Sequence, residues 1–207
     1  ERISNVKIET EISAKDFHKK YFNNPQPVVF KGAAKKWPAF KKWNPDFFKD
    51  HYGQTKVILF EASVNSLDSN EISETSLVSF NKFIEMMQSG SKEYVRFSPI
   101  LDKNPELLED IDNNWLLNFS NSKSKNTKHQ LFIGGKNTST SIHSAIGSNL
   151  FVQVHGRKEW YIYDTFYNSL VQPKVDRSVF FRSNVSAKKP DEIFKKARGW
   201  RVILEPG

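Results

Sequence analysis

Apolar residues recur along this chain at two periods, and the change from one to the other divides it. Up to about residue 120 the dominant spacing is three to four, interrupted by short extended runs. In "SAKDFHKKYF" Ser13 is an N-cap with Asp16 three residues on, and Phe17 and Tyr21 share one helical face, which leaves His18 on the polar side. "NPDFFKDHYG" reads as a short helix with Asn44 as cap, Pro45 in the first turn and Gly53 as terminator. His51 falls at its C-terminal end, where a cation is favourable. In "SLVSFNKFIEMMQSG" the residues Leu77, Phe80, Ile84 and Met87 fall at helical spacing and are expected in the core. Val28 to Phe30, Lys56 to Phe60 and "EYVRFSPIL" read as strands, "NPELLEDI" as another short helix, and "SNSKSKNTK" as a loop.

From Gln130 onward short β runs take over: "QLFIGG", "NLFVQV", "KEWYIYD", "SVFF" and "WRVILEPG", with turns between them and no long helix. Such spacing predicts antiparallel strands in a sandwich or barrel. Residues 1–120 are therefore expected to form a helical and mixed α/β preface packed on a β core over 121–207, the two making one structural unit. Within the core, His155-Gly156 suits a two-residue turn, and pairing outward from it places Phe151 opposite Trp160. Asn149, Phe151, Gln153, Lys158, Trp160 and Ile162 then share one face. Lys158 among Phe and Trp needs either an anionic partner or a route to solvent, and Glu159 falls on the opposite face.

Composition narrows the chemistry. With 207 residues, 17 Phe, 6 Tyr and 5 Trp, the chain has the large apolar side chains a buried core needs. It has no Cys, which removes disulfides, thiolate nucleophiles and thiolate metal sites together. No run approaches a membrane span and no leader opens the sequence, so the expectation is a soluble, intracellular, cytoplasmic protein. The net charge of +8 is spread over scattered lysine pairs, read here as solvated surface, with an acidic partner compatible with it. Glu1 in place of Met and the strand-like "RVILEPG" at the end read as a piece of a longer chain.

"PVVFKGAAKKWPAF", "YVRFSPILDKNPELLEDI" and "TSIHSAIGSNLFVQVHGRKEWYIYD" together resemble the cupin-like JmjC family of Fe(II) and 2-oxoglutarate-dependent oxygenases. The last stretch resembles the family pattern of Thr, two residues, His, any residue, Asp, then an Asn and a hairpin Lys. This resemblance implies a double-stranded β-helix, the cupin or jelly-roll JmjC barrel, here ending before its last strands. It also implies that His143 is the first metal histidine and that Thr140, Asn149 and Lys158 meet the cosubstrate, Thr140 and Lys158 at its distal carboxylate. An odd separation of Thr140 and His143 requires a bend between them. Ala145 stands where the family has Asp, and the second metal histidine of the pattern has no counterpart before Gly207.

The resemblance thus implies hydroxylase-like C–H oxidation with Fe(II) and 2-oxoglutarate on a scaffold lacking its carboxylate ligand. Two alternatives stand beside it: a 2-oxoglutarate-dependent radical halogenase, in which the small Ala145 leaves room for chloride on iron, and a non-catalytic binding module. A protein side chain, a nucleoside or a small molecule would each suit as substrate. A homodimer is compatible with the chain, and no membrane partner is expected.

Overall fold

The computed structural model describes residues 2–61, 77–120, 128–144, 147–172, 181–183, 185 and 191–207. The strands β1 (Ile3–Asn5), β2 (Lys7–Glu9), β3 (Val28–Phe30), β4 (Lys56–Glu61), β5 (Leu77–Ser79) and β6 (Glu93–Ser98) alternate with the helices α1 (Ala14–Phe17), α2 (Ala39–Lys42), α3 (Pro45–Tyr52) and α4 (Phe80–Gln88). Helices α5 (Ile100–Lys103) and α6 (Asn113–Phe119) follow, then β7 (Leu131–Gly134), β8 (His143–Ser144), β9 (Lys158–Tyr163), α7 (Asn168–Val171), β10 (Phe181–Arg182) and β11 (Gly199–Leu204). Among these residues no helix is long and apolar enough to cross a membrane.

The caps that the sequence marks do their work. Ser13 Oγ accepts from the Asp16 amide and Asn44 Oδ1 from the Phe47 amide, each satisfying an orphan donor of a first helical turn. The helix expected from Leu77 begins instead at Phe80, capped by Ser79. Leu77 pairs with Ile58 on the edge strand β5 and stays 47% exposed, so it is not a core residue. His18 lies between the rings of Phe17 and Phe22 with its Nε2 buried, rather than on an open polar face.

The largest sheet runs β5-β4-β6-β7, all antiparallel. Its inner face and helices α2 to α5 enclose a core centred on Phe48, Phe80, Phe83, Ile84, Val95 and Leu107. Phe48 stacks on Phe80 at 5.7 Å, and Phe80 meets Phe83 edge-on at 6.0 Å. Two polar devices lock this layer. Buried Asp110 accepts from Lys42 Nζ (2.5 Å) and Trp43 Nε1 (3.0 Å), so each donor beside the core has its acceptor. His129, ahead of β7, faces Asp102 Oδ1 through Nδ1 (2.9 Å) and Asn113 Oδ1 through Nε2 (3.0 Å), joining the loop to α5 and α6.

A second sheet has β11 between β1, parallel, and β9, antiparallel. The ladders β1–β11 and β6–β7 each join the first part of the chain to the last. Pairs β2–β3 and β8–β10 complete the strands. Sheets and helices are thus mixed, and the expected barrel is not closed among the described residues. Strands β8 and β10 have two residues each; residues 145–146 and 173–180, with most of the "SVFF" run and of the 120–128 loop, lie outside the described residues.

Candidate cosubstrate site

The expected hairpin forms only one of its two strands. Lys158 opens β9, which pairs along its whole length with β11 (Lys158 with Leu204, Tyr163 with Gly199), while "NLFVQV" runs beside it without a ladder. Gly156, at φ 70°, makes the turn that glycine tolerates. Side-chain proximity survives even so. Phe151 and Trp160 pack edge-to-face at 5.1 Å, because two large rings gain by contact whether or not the backbones pair.

The ammonium of Lys158 sits among three rings, 5.0 Å from the Tyr94 centroid, 5.4 Å from Phe151 and 5.3 Å from Trp160. It donates to Tyr94 Oη at 2.6 Å, its one hydrogen bond among the described residues, and no carboxylate there lies within ion-pair distance of it. Ring faces attract a cation and soften its desolvation, though each contributes only about 0.5–2 kcal/mol. Burial, with the positive charge of Arg96 behind it, pulls the Lys158 pKa down to about 8. Burial also pushes the Tyr94 hydroxyl up to about 12, against the opposing pull of Arg96, so Tyr94 is neutral at physiological pH. Glu159 does point the other way, accepting from Arg201 Nε at 2.6 Å.

Tyr94 and Arg96 reach this place by strand parity. They alternate with Val95, which enters the core, and both are 4% exposed. Between Val95 and Ser98 the register with β7 slips by one residue, and Phe97 takes a left-handed φ of 55° at this bulge. Gly134 faces Tyr94 across the ladder, and a Cβ there would meet the Thr138 hydroxyl first, at 2.4 Å, and Tyr94 Cδ2 at 2.7 Å. The Tyr94 ring occupies the space that glycine leaves. Gly134→Ala is therefore expected to displace Tyr94 and weaken anion binding beside Lys158 by about tenfold, an effect of one lost neutral hydrogen bond. Titration calorimetry with a dicarboxylate measures it, and unchanged affinity would mean that Tyr94 does not shape the site.

The other residues marked by the sequence lie on separate elements. Thr140 is half-buried ahead of β8, the chain bends at Ile142, and His143 is exposed on β8 opposite Arg182. Its Nδ1 lies 2.9 Å from the Ser141 carbonyl. A carbonyl only accepts, so Nδ1 carries a proton, and Nε2 is the ring nitrogen that would ligate a metal. Asn149 is exposed in the irregular stretch before Phe151. No hydrogen bond joins Lys158 to Thr140, Asn149 or His143. Ala145 lies outside the described residues, and among those described no three His, Asp or Glu side chains gather as a metal site. Tyr94 and Arg96 are the additions that sequence reading missed; their one signal was a Tyr and an Arg two apart, alternating with Val95 and Phe97 in one strand.

This chain belongs to the cupin-like domain family, matched over residues 14–207, and to its JmjC type. It is similar to JmjC domain-containing protein D of Dictyostelium discoideum, 23% identical over 224 residues, covering 94% of this chain and 48% of that protein. Lysine-specific demethylase JMJ30 of Arabidopsis thaliana is 27% identical over 213 residues, 98% of this chain and 48% of the relative. JmjC domain-containing protein A of Dictyostelium discoideum is 26% identical over 159 residues, 70% of this chain and 60% of the relative. The chain spans about half the length of the first two relatives.

Proposed function

We propose that this chain carries the cosubstrate pocket of an Fe(II)/2-oxoglutarate-dependent oxygenase, within a double-stranded β-helix of the JmjC type, and that its reaction class is hydroxylase-like oxidation of a substrate C–H bond. One observation carries the reading: an ammonium held among three rings beside a second cation, with no carboxylate against it among the described residues. A buried cation of this kind is stabilised by an anion, and a carboxylate supplies both the charge and the acceptor atoms. Lys158 and Tyr94 would hold the distal carboxylate of 2-oxoglutarate, with Thr140 and Asn149 as further polar contacts.

Iron fits less well. With Nδ1 committed to the Ser141 carbonyl, His143 would offer only Nε2 to a metal, and one imidazole does not hold iron(II). The described residues by themselves are therefore a cosubstrate site with a single metal ligand, and their part in the chemistry is to bind and orient the dicarboxylate. Ala145 favours a second reading, a halogenase with chloride in place of the missing carboxylate. Calorimetry with 2-oxoglutarate, with and without iron(II), tests the pocket. Succinate release with chloride present or absent, followed by mass spectrometry of the product, separates oxygen insertion from chlorination. Because one relative is named as a lysine-specific demethylase, a methyl-lysine peptide is the first substrate to try. Binding without any succinate release would leave the chain as a ligand-binding module, and absence of 2-oxoglutarate binding would sink the reading.

A further inference from the structure

Cations from the two ends of the chain meet at one open groove. Arg2, just ahead of β1, and Lys196 and Arg198 from the approach to β11 line a cavity of about 930 Å³ together with Asp164, Phe166 and Trp200. All three cations are exposed, and none has a carboxylate within ion-pair distance among the described residues. Asp164, the one acid of this lining, accepts the Phe166 amide at 2.8 Å and so shapes the turn that presents the ring. Three positive charges against one negative leave the groove electropositive, in a chain whose net charge is already +8.

Phe166 is 82% exposed, the most open of the large apolar side chains described. Tyr167 meets it in a T-shaped contact, at 5.1 Å and 85°, and most of the Phe166 ring stays open. Trp200, half-buried, lies across from Ser4 in the β1–β11 ladder. An acidic peptide would engage the cations but would leave these ring faces without planar partners. A phosphodiester chain carrying bases uses both features, its phosphates on the cations and its bases stacked on the rings.

We propose that this groove binds single-stranded nucleic acid, with phosphates on Arg2, Lys196 and Arg198 and a base on Phe166. The groove shares no residue with the Lys158 site. It lies at the Gly199–Tyr163 end of the β9–β11 ladder, whereas Lys158 lies at the Leu204 end, about 17 Å away at the rise of a β-strand. The inference is therefore independent of the cosubstrate reading.

Fluorescence anisotropy of labelled 12-residue oligouridylate and oligothymidylate against the whole 207-residue chain, over a salt series, tests it. Each phosphate contact on a single strand adds about 0.7 to the slope of log K against log salt, so Arg2→Ala/Lys196→Ala/Arg198→Ala should flatten that slope by about 2. Phe166→Ala should weaken binding by about tenfold and leave the slope unchanged. These signatures with either oligonucleotide support the site, and the comparison of the two reads whether the 2′-hydroxyl contributes. Lack of binding at low salt, a slope untouched by the triple variant or full-strength binding by Phe166→Ala overturns the proposal. Displacement by polyglutamate at equal charge concentration overturns it in favour of an acidic protein.

Discussion

Lys158→Met is expected to abolish most of the affinity for 2-oxoglutarate while leaving the fold as stable as before or more so. A hydrogen bond to a charged group contributes about 1.5–3 kcal/mol, so its loss weakens binding by roughly ten- to a hundredfold. Stability moves the other way. In the unliganded chain the ammonium pays its desolvation with one neutral hydrogen bond and three ring contacts, and no carboxylate against it among the described residues. The fall of its pKa from 10.5 to about 8 corresponds to on the order of 3–4 kcal/mol of unfavourable burial at most. Methionine keeps the length and the contact with Phe151 and Trp160 without the charge, at the cost of ring–cation attractions of similar or smaller size. Calorimetry and thermal melts of the two proteins read both effects. A variant that binds normally would remove Lys158 from the site, and one destabilised by more than about 2 kcal/mol would show the lysine to be structural, since exchanging a buried charge for an apolar group is ordinarily neutral or favourable.

Raising the pH should loosen the same ligand. The folded chain releases the Lys158 proton near pH 8, whereas the unfolded chain keeps it until about 10.5. Below about 8 both states are protonated and the full burial penalty is present; between 8 and 10.5 only the unfolded state is charged, and the penalty fades as pH rises. Wild-type stability therefore gains on Lys158→Met across that window. A carboxylate requires the protonated lysine, so 2-oxoglutarate affinity stays flat below about pH 8 and then falls about tenfold per pH unit, reaching a hundredfold near pH 10. Tyr94, whose pKa is about 12, keeps its proton throughout. Binding isotherms from pH 7 to 10 on wild type and Lys158→Met test this, because the slope belongs to Lys158 and should vanish in the variant. A wild-type affinity that is constant over that range contradicts the assignment.

Short-range signals were legible in the sequence where one residue acts on its near neighbours. Ser13 and Asn44 cap the helices they announce, β3 occupies Val28–Phe30 as its β-branched run predicts, and the alternation of β9 puts Lys158 and Glu159 on opposite faces. The misreadings have a physical cause too. Leu77 matches a helical period, yet pairing with β4 offers its backbone a ladder before Ser79 can cap the helix. "NLFVQV" has the apolar and β-branched composition of a strand, but β9 takes β11 as its ladder partner, and composition does not say which edge is filled.

His143 and Lys158 stood out because the stretch that carries them resembles the cupin-like JmjC pattern, and Lys158 also because an ammonium set among Phe and Trp needs an anion or a route to solvent. Which groups surround that ammonium was decided only by tertiary structure. Tyr94 lies 64 positions away, brought to the lysine by a sheet whose register, bulge at Phe97 and missing side chain at Gly134 are set by long-range packing. The same holds for Arg2 and Arg198, which share a groove because a parallel ladder joins the two ends of the chain. Propensity and periodicity act over a few residues, whereas burial, and with it the charge a site will accept, is a property of everything the fold places nearby.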